Sequence, residues 1–137
     1  MTKLLLNIDV DDLEQGIRFY TEALSLRVAR RLGADAVELV GADVPIYLLA
    51  KRGETPPFTG APAARSYERH WTPVHFDVVV EDLDQAVARA ENAGAKREGA
   101  VTEHPWGRMA LFSDPFGHGF CVLQLVGRGY DEIAEER

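Results

Sequence analysis

The sequence predicts an α+β fold built from two tandem βαβββ modules packed around a shared centre, and three features carry that reading. Residues 5–17, LLNIDVDDLEQGI, return at residues 75–87 as HFDVVVEDLDQAV, with a constant offset of 70 and no gap. A period this long is too large for a solenoid unit and marks a duplicated half-domain. In each copy a stretch of period-two alternation gives way to a helical period, and the pattern after each copy accommodates three short strands.

Leu4, Leu6, Ile8 and Val10 alternate with Leu5, Asn7 and Asp9, as a half-buried strand requires. Val74, Phe76, Val78 and Val80 repeat that face in the second copy, which puts His75, Asp77 and Val79 together on the opposite face. The acidic pairs Asp11-Asp12 and Glu81-Asp82 follow. One carboxylate of each pair is placed to cap a helix and to face its positive end. The first helix is expected at about 13–23, with Leu13, Ile17 and Tyr20 on one face. The second is expected at about 83–93, with Leu83, Ala86, Val87 and Ala90 inward and Gly94 as its stop. Strands are expected near 26–31, 36–40 and 45–50, then near 96–101, 108–113 and 119–126. The chain reads as one domain, 1–137, with module one at about 3–50 and module two at about 72–126. Between them, 51–71 holds Pro56, Pro57, Gly60 and Pro62 without periodicity, and reads as a linker or a mobile loop over a site. Residues 127–137 form a polar tail with room for a helical turn.

Composition narrows the function classes. The 137 residues are 46% apolar and 27% charged, a balance that suits one globular domain rather than a disordered chain. A net charge of -7 with scattered basic residues disfavours nucleic-acid binding and is compatible with a neutral or cationic small molecule. The single cysteine, Cys121, allows no intrachain disulfide, and the short apolar run Leu4–Leu6 makes neither a signal peptide nor a membrane span. A cytoplasmic protein without nucleic-acid or membrane partners is the expectation. Nucleophile-elbow, phosphate-loop and CxxC patterns are all missing from the sequence.

Further along, Asp114-Pro115-Phe116-Gly117-His118 has the chemistry of a tight hairpin turn. Asp114 can accept backbone N–H groups, Pro115 presets φ and Gly117 can take a left-handed conformation, with His118 expected exposed at the tip. With this turn, the pair Phe19-Tyr20, the segment Pro105-Trp106-Gly107-Arg108 and the two strand–acid–helix joins, the chain resembles the glyoxalase/bleomycin-resistance/extradiol dioxygenase (vicinal oxygen chelate) superfamily over about residues 3–126. The resemblance implies half-open, barrel-like sheets around a cavity, and a homodimer. In metal-using members it implies a His on the first strand of one or both modules and a Glu on the last. Those slots fall here on His75, on Leu5, at or near Cys121, and within Ile46-Tyr47-Leu48, so His75 is the one clear metal candidate. No cofactor follows from this set, and a divalent metal stays open, because one imidazole does not hold such an ion against water.

His75 is therefore read as a ligand-binding or general-base residue. Asp77, Tyr47, Trp106, Arg108 and Cys121 are read as ligand-binding candidates. For Cys121, a buried apolar role competes, since it alternates with Leu123 and Leu125. Glu38 fits either a cavity-facing acid–base role or a solvent-facing one, and His104 is given no role. The leading expectation is a protein that binds and sequesters a small molecule without turning it over. The rivals are a metal-dependent lyase, isomerase or dioxygenase using His75, and a structural or regulatory module without a ligand.

Overall fold

A computed structural model describes residues 1–135. The last two residues of the predicted tail, 136–137, lie outside the described residues. Module one runs β1 (Leu6–Val10), α1 (Leu13–Ala23), β2 (Arg27–Arg31), β3 (Ala36–Val40) and β4 (Ile46–Ala50). Module two runs β5 (Phe76–Val79), α2 (Leu83–Ala93), β6 (Lys96–Arg97), β7 (Thr102–His104), β8 (Gly107–Ser113) and β9 (Gly119–Leu125), and a 3₁₀ turn follows at Gly129–Glu132.

The repeat is visible in the local chemistry. Asp12 and Asp82, the second members of the two acidic pairs, both hold extended backbone at the helix N-cap. Each accepts from a backbone N–H three residues on, Gln15 at 2.9 Å and Gln85 at 3.1 Å. Such a cap contributes about 1 kcal/mol. Gly94 closes α2 in the left-handed conformation, its N–H on the carbonyls of Ala90 and Glu91.

Each module folds its strands into one sheet, ordered β1-β4-β3-β2 and β5-β9-β8-β6, with β7 also paired to β8. The first strand of each lies parallel to the last, in matching register: Asn7 stands opposite Tyr47 as Asp77 stands opposite Cys121. The strand expected at 96–101 is instead two pieces. Gly99, at φ +100°, turns the chain, so the register runs from Arg97 opposite Phe112 to Thr102 opposite Met109 and the edge bulges between them. Leu4 and Val74, expected on the apolar strand faces, lie outside the strands and are exposed.

One face of each sheet carries the helices. Ile8, Val10, Val37, Leu39, Ile46 and Leu48 from the first sheet share one core with Ala110, Phe112, Phe120 and Val122 from the second and with the inner residues of α1 and α2. Phe19 of α1 meets Phe120 of β9 edge to face at 6.3 Å between centroids, and Arg89 of α2 donates to Ser25 of module one at 2.7 Å. The helices therefore occupy the space between the sheets, and the opposite face of each sheet is left open.

The linker is pinned at several points. Lys51 N–H donates to the Val10 carbonyl (2.8 Å), Glu54 N–H to the Arg65 carbonyl and Arg65 N–H to the Thr55 carbonyl (2.9 Å each), and Arg69 pairs with Glu98 at 2.6 Å. His70 N–H reaches the Gly117 carbonyl at 3.3 Å, tying the linker to the Asp114–His118 turn.

Candidate functional site on the open sheet faces

Strand alternation decides what the open faces present. On module one, Asn7, Tyr47, Glu38 and Arg30 are consecutive register partners across β1, β4, β3 and β2, a polar row spanning the sheet. Tyr47 donates its phenolic hydrogen to Glu38 Oε2, and Arg30 Nε donates to Glu38 Oε1 at 2.9 Å. The Tyr47 hydroxyl, then Arg30, hold the Glu38 carboxyl below the usual carboxylate range. The carboxylate in turn raises the Tyr47 phenol, so its proton stays in place.

On module two the equivalent row is Asp77, Cys121 and Leu111. Cys121 is buried but separate from the helix-side core, and Val79 (59% exposed) and Leu111 (38%) leave apolar surface beside it. Burial, then the neighbouring Asp77 carboxylate, push the Cys121 thiol up to about 11. At physiological pH it is a neutral thiol and a poor nucleophile.

The other candidates spread out. His75 is exposed, one residue ahead of β5. Trp106 sits in the turn between β7 and β8, stacked on His104 at 4.6 Å and tilted against Tyr130 at 5.3 Å. Arg108 shares the helix-side face with Ala110 and Phe112 and pairs with Asp84 of α2 at 3.1 Å. Asp77 and Cys121 thus come together on one open face, Tyr47 lies on the other, and Trp106 and Arg108 belong to neither group.

Two features escape the sequence reading. Arg30 faces Glu38 across the β2–β3 hairpin, and a sign-matched pair eight residues apart about a glycine turn is the signal that would have found it. His118, expected exposed, is half-buried instead. Its ring reaches across to module one, with Nε2 2.7 Å from the Asp9 carbonyl oxygen and Nδ1 3.4 Å from His70 Nε2.

Of the metal slots implied by the resemblance, Leu5 has no donor and the Tyr47 phenol is committed to Glu38, while Cys121 is buried on β9 and His75 is exposed ahead of β5. Among the described residues no group of three or more His, Cys, Asp or Glu is arranged to hold a metal ion.

A cleft of about 820 Å³ also opens between the modules, floored by Leu6, Leu26, Ile46, Phe76 and Val78, with Asp43, Glu81 and Arg89 among its polar lining. That volume suits a small ligand.

Comparison with known proteins agrees with this architecture. The model of the glyoxalase-like domain matches residues 6–123, and the chain belongs to that family. An uncharacterized protein of Mycobacterium bovis is 32% identical over 129 residues, covering 90% of this chain and 84% of its own. A Mycobacterium tuberculosis relative is equally similar, with 75% of its length covered. Among solved structures, an antibiotic-binding protein from a Streptomyces species superposes with a TM-score of 0.65 at 24% identity, covering 91% of this chain and 96% of its own. A fosfomycin-resistance protein from Listeria monocytogenes gives 0.68 at 17%, covering 90% and 93%. At these identities the two structures share the fold. No helix among the described residues is long and apolar enough to cross a membrane.

Proposed function

We propose that the chain is a cytoplasmic protein that binds a small organic molecule against its open sheet faces and releases it unchanged. One observation carries this reading. Tyr47 and Cys121 occupy equivalent last-strand positions, and each keeps its proton beside a carboxylate, Glu38 in one case and Asp77 in the other. A neutral phenol and thiol offer hydrogen bonding and packing rather than charge to grip a cation or attack a substrate. With the carboxylates of Glu38 and Asp77 near apolar Leu49, Val79 and Leu111, the faces suit a neutral or cationic amphipathic molecule better than an anion.

Because the helices lie between the sheets of one chain, a closed pocket on an open face needs a second copy. A homodimer that sets one open face against another would supply the walls and cover exposed Leu5, Val79 and Leu111. The fold shared with an antibiotic-binding protein supports the small-molecule reading.

The apolar lining of the inter-module cleft supports a second location for the ligand. A thermal-shift panel of neutral and cationic amphipathic compounds tests both. A ligand present at one hundred times its dissociation constant adds about 2.7 kcal/mol of stability. Loss of that gain in Tyr47→Phe and Asp77→Asn places the ligand on the open faces, whereas loss only in Leu26→Trp places it in the cleft. A panel without a single stabilising compound contradicts the binding function.

A further inference from the structure

We propose that His70 and His118 form a two-point chelate for a borderline divalent cation such as Zn²⁺, seated where the linker meets both modules. Backbone carbonyls fix the tautomer of both rings. Nε2 of His118 lies 2.7 Å from the Asp9 carbonyl oxygen, and Nδ1 of His70 lies 2.7 Å from the Glu68 carbonyl oxygen. A carbonyl only accepts, so each of these nitrogens carries the hydrogen. The remaining nitrogens, His118 Nδ1 and His70 Nε2, are then left with lone pairs in the neutral rings, and they face each other at 3.4 Å.

Two lone pairs at that separation repel unless a proton or a metal ion lies between them. The spacing fits a metal ion. Two imidazoles on one tetrahedral zinc, each with a Zn–N bond of about 2.0–2.1 Å, place their nitrogens about 3.3–3.4 Å apart. Metal-ligating histidines also characteristically donate their other ring N–H to a backbone carbonyl, which fixes tautomer and orientation, and both rings here have that support. Imidazole suits zinc, copper and nickel rather than calcium or magnesium.

The surroundings hold the rings and leave coordination positions to water. The His70 backbone is tied to Gly117, and the His118 backbone N–H to Asp114 Oδ1 at 2.9 Å. The nearby Asp9 carboxylate is engaged by Arg65 at 3.2 Å, and the Tyr67 hydroxyl donates to the Lys51 carbonyl. The cation would bridge the linker to the Asp114–His118 turn, whose ring rests on β1. This site uses none of the side chains assigned to ligand binding on the open faces and stands whether or not they bind a small molecule.

Long-range ¹H–¹⁵N spectra of the untagged chain, titrated with Zn²⁺, test the proposal on all four histidines at once. Before metal, His118 should be the Nε2–H tautomer and His70 the Nδ1–H tautomer. One equivalent of Zn²⁺ should then move His118 Nδ1 and His70 Nε2 to the metal-bound range and leave His75 and His104 in place. His70→Ala, on the linker surface, should weaken calorimetric Zn²⁺ binding at least about tenfold while leaving the denaturation midpoint of the metal-free protein unchanged. Reversed tautomers, a single proton shared by the pair that Zn²⁺ does not displace, or equal Zn²⁺ affinity in wild type and His70→Ala would each overturn it.

Discussion

Tyr20 donates its hydroxyl hydrogen to Asp114, joining α1 of the first module to the turn after β8 of the second through a fully buried contact. The other carboxylate oxygen accepts from Phe116 N–H at 2.8 Å and His118 N–H at 2.9 Å. One buried carboxylate thus shapes its own turn and fastens that turn to the opposite module. Burial, and then Asp114, push the phenol well above its ordinary value, so the hydrogen stays on Tyr20.

Tyr20→Phe keeps the ring packed against Phe19 and removes only the donor, which leaves a buried carboxylate oxygen unpaired. We expect a loss of about 1–3 kcal/mol in chemical denaturation with an unchanged slope. A loss near zero would show that the contact does not fasten the modules.

Gly117→Ala should destabilise the protein by a different route. Gly117 has φ +81°, and a Cβ there would fall 2.3 Å from the Glu68 carbonyl oxygen. Left-handed strain alone costs roughly 1–3 kcal/mol, and relief of the clash requires the linker to withdraw. The expected result is that loss in denaturation together with faster limited proteolysis within residues 51–75. Unchanged proteolysis would mean that the linker does not depend on this turn.

The Cys121 thiol titrates at about 11, and its stability effect has a definite sign. A raised folded value favours the protonated form, so the contribution is fully present below the unfolded thiol value of roughly 8.5 and is lost as pH rises toward 11. Iodoacetamide should alkylate the folded protein slowly at pH 8. Asp77→Asn removes the neighbouring negative charge and should speed alkylation at pH 9 severalfold. An unaltered rate would remove Asp77 from the account.

Glu38 behaves in the opposite sense. Its carboxyl is lowered by the Tyr47 hydroxyl and by Arg30, so its contribution is present above the unfolded value of roughly 4.3 and is lost as pH falls through the lower folded value. Carboxyl chemical shifts should show the Glu38 midpoint rising in Tyr47→Phe, with a smaller rise in Arg30→Ala. A Tyr47→Phe midpoint equal to that of the wild type would remove the hydroxyl as the cause.

Much of this architecture could be read from the chain because its signals are local. Both helices were expected at 13–23 and 83–93 and lie there, since each has an aspartate cap and an apolar stripe of its own. The resemblance also puts forward Cys121 and the segment Ile46-Tyr47-Leu48 as counterpart last-strand slots, and the strand registers single out Tyr47, opposite Asn7 as Cys121 is opposite Asp77. What stayed hidden depends on distant contacts. Nothing near His118 in sequence announces the Asp9 carbonyl 109 positions away, and Tyr20 reads as one more apolar position in its helix until Asp114 is placed beside it. The break at Gly99 was missed because the residues on either side keep a strand-like pattern.

Following the ligand itself distinguishes binding from turnover. The tightest compound from the panel would be incubated with the untagged protein, with and without added Zn²⁺, and its amount followed by mass spectrometry. A protein that only binds should show saturable binding and quantitative recovery of the unchanged compound on denaturation. Consumption beyond one equivalent per chain, abolished in His75→Ala, would contradict binding alone and make the protein an enzyme.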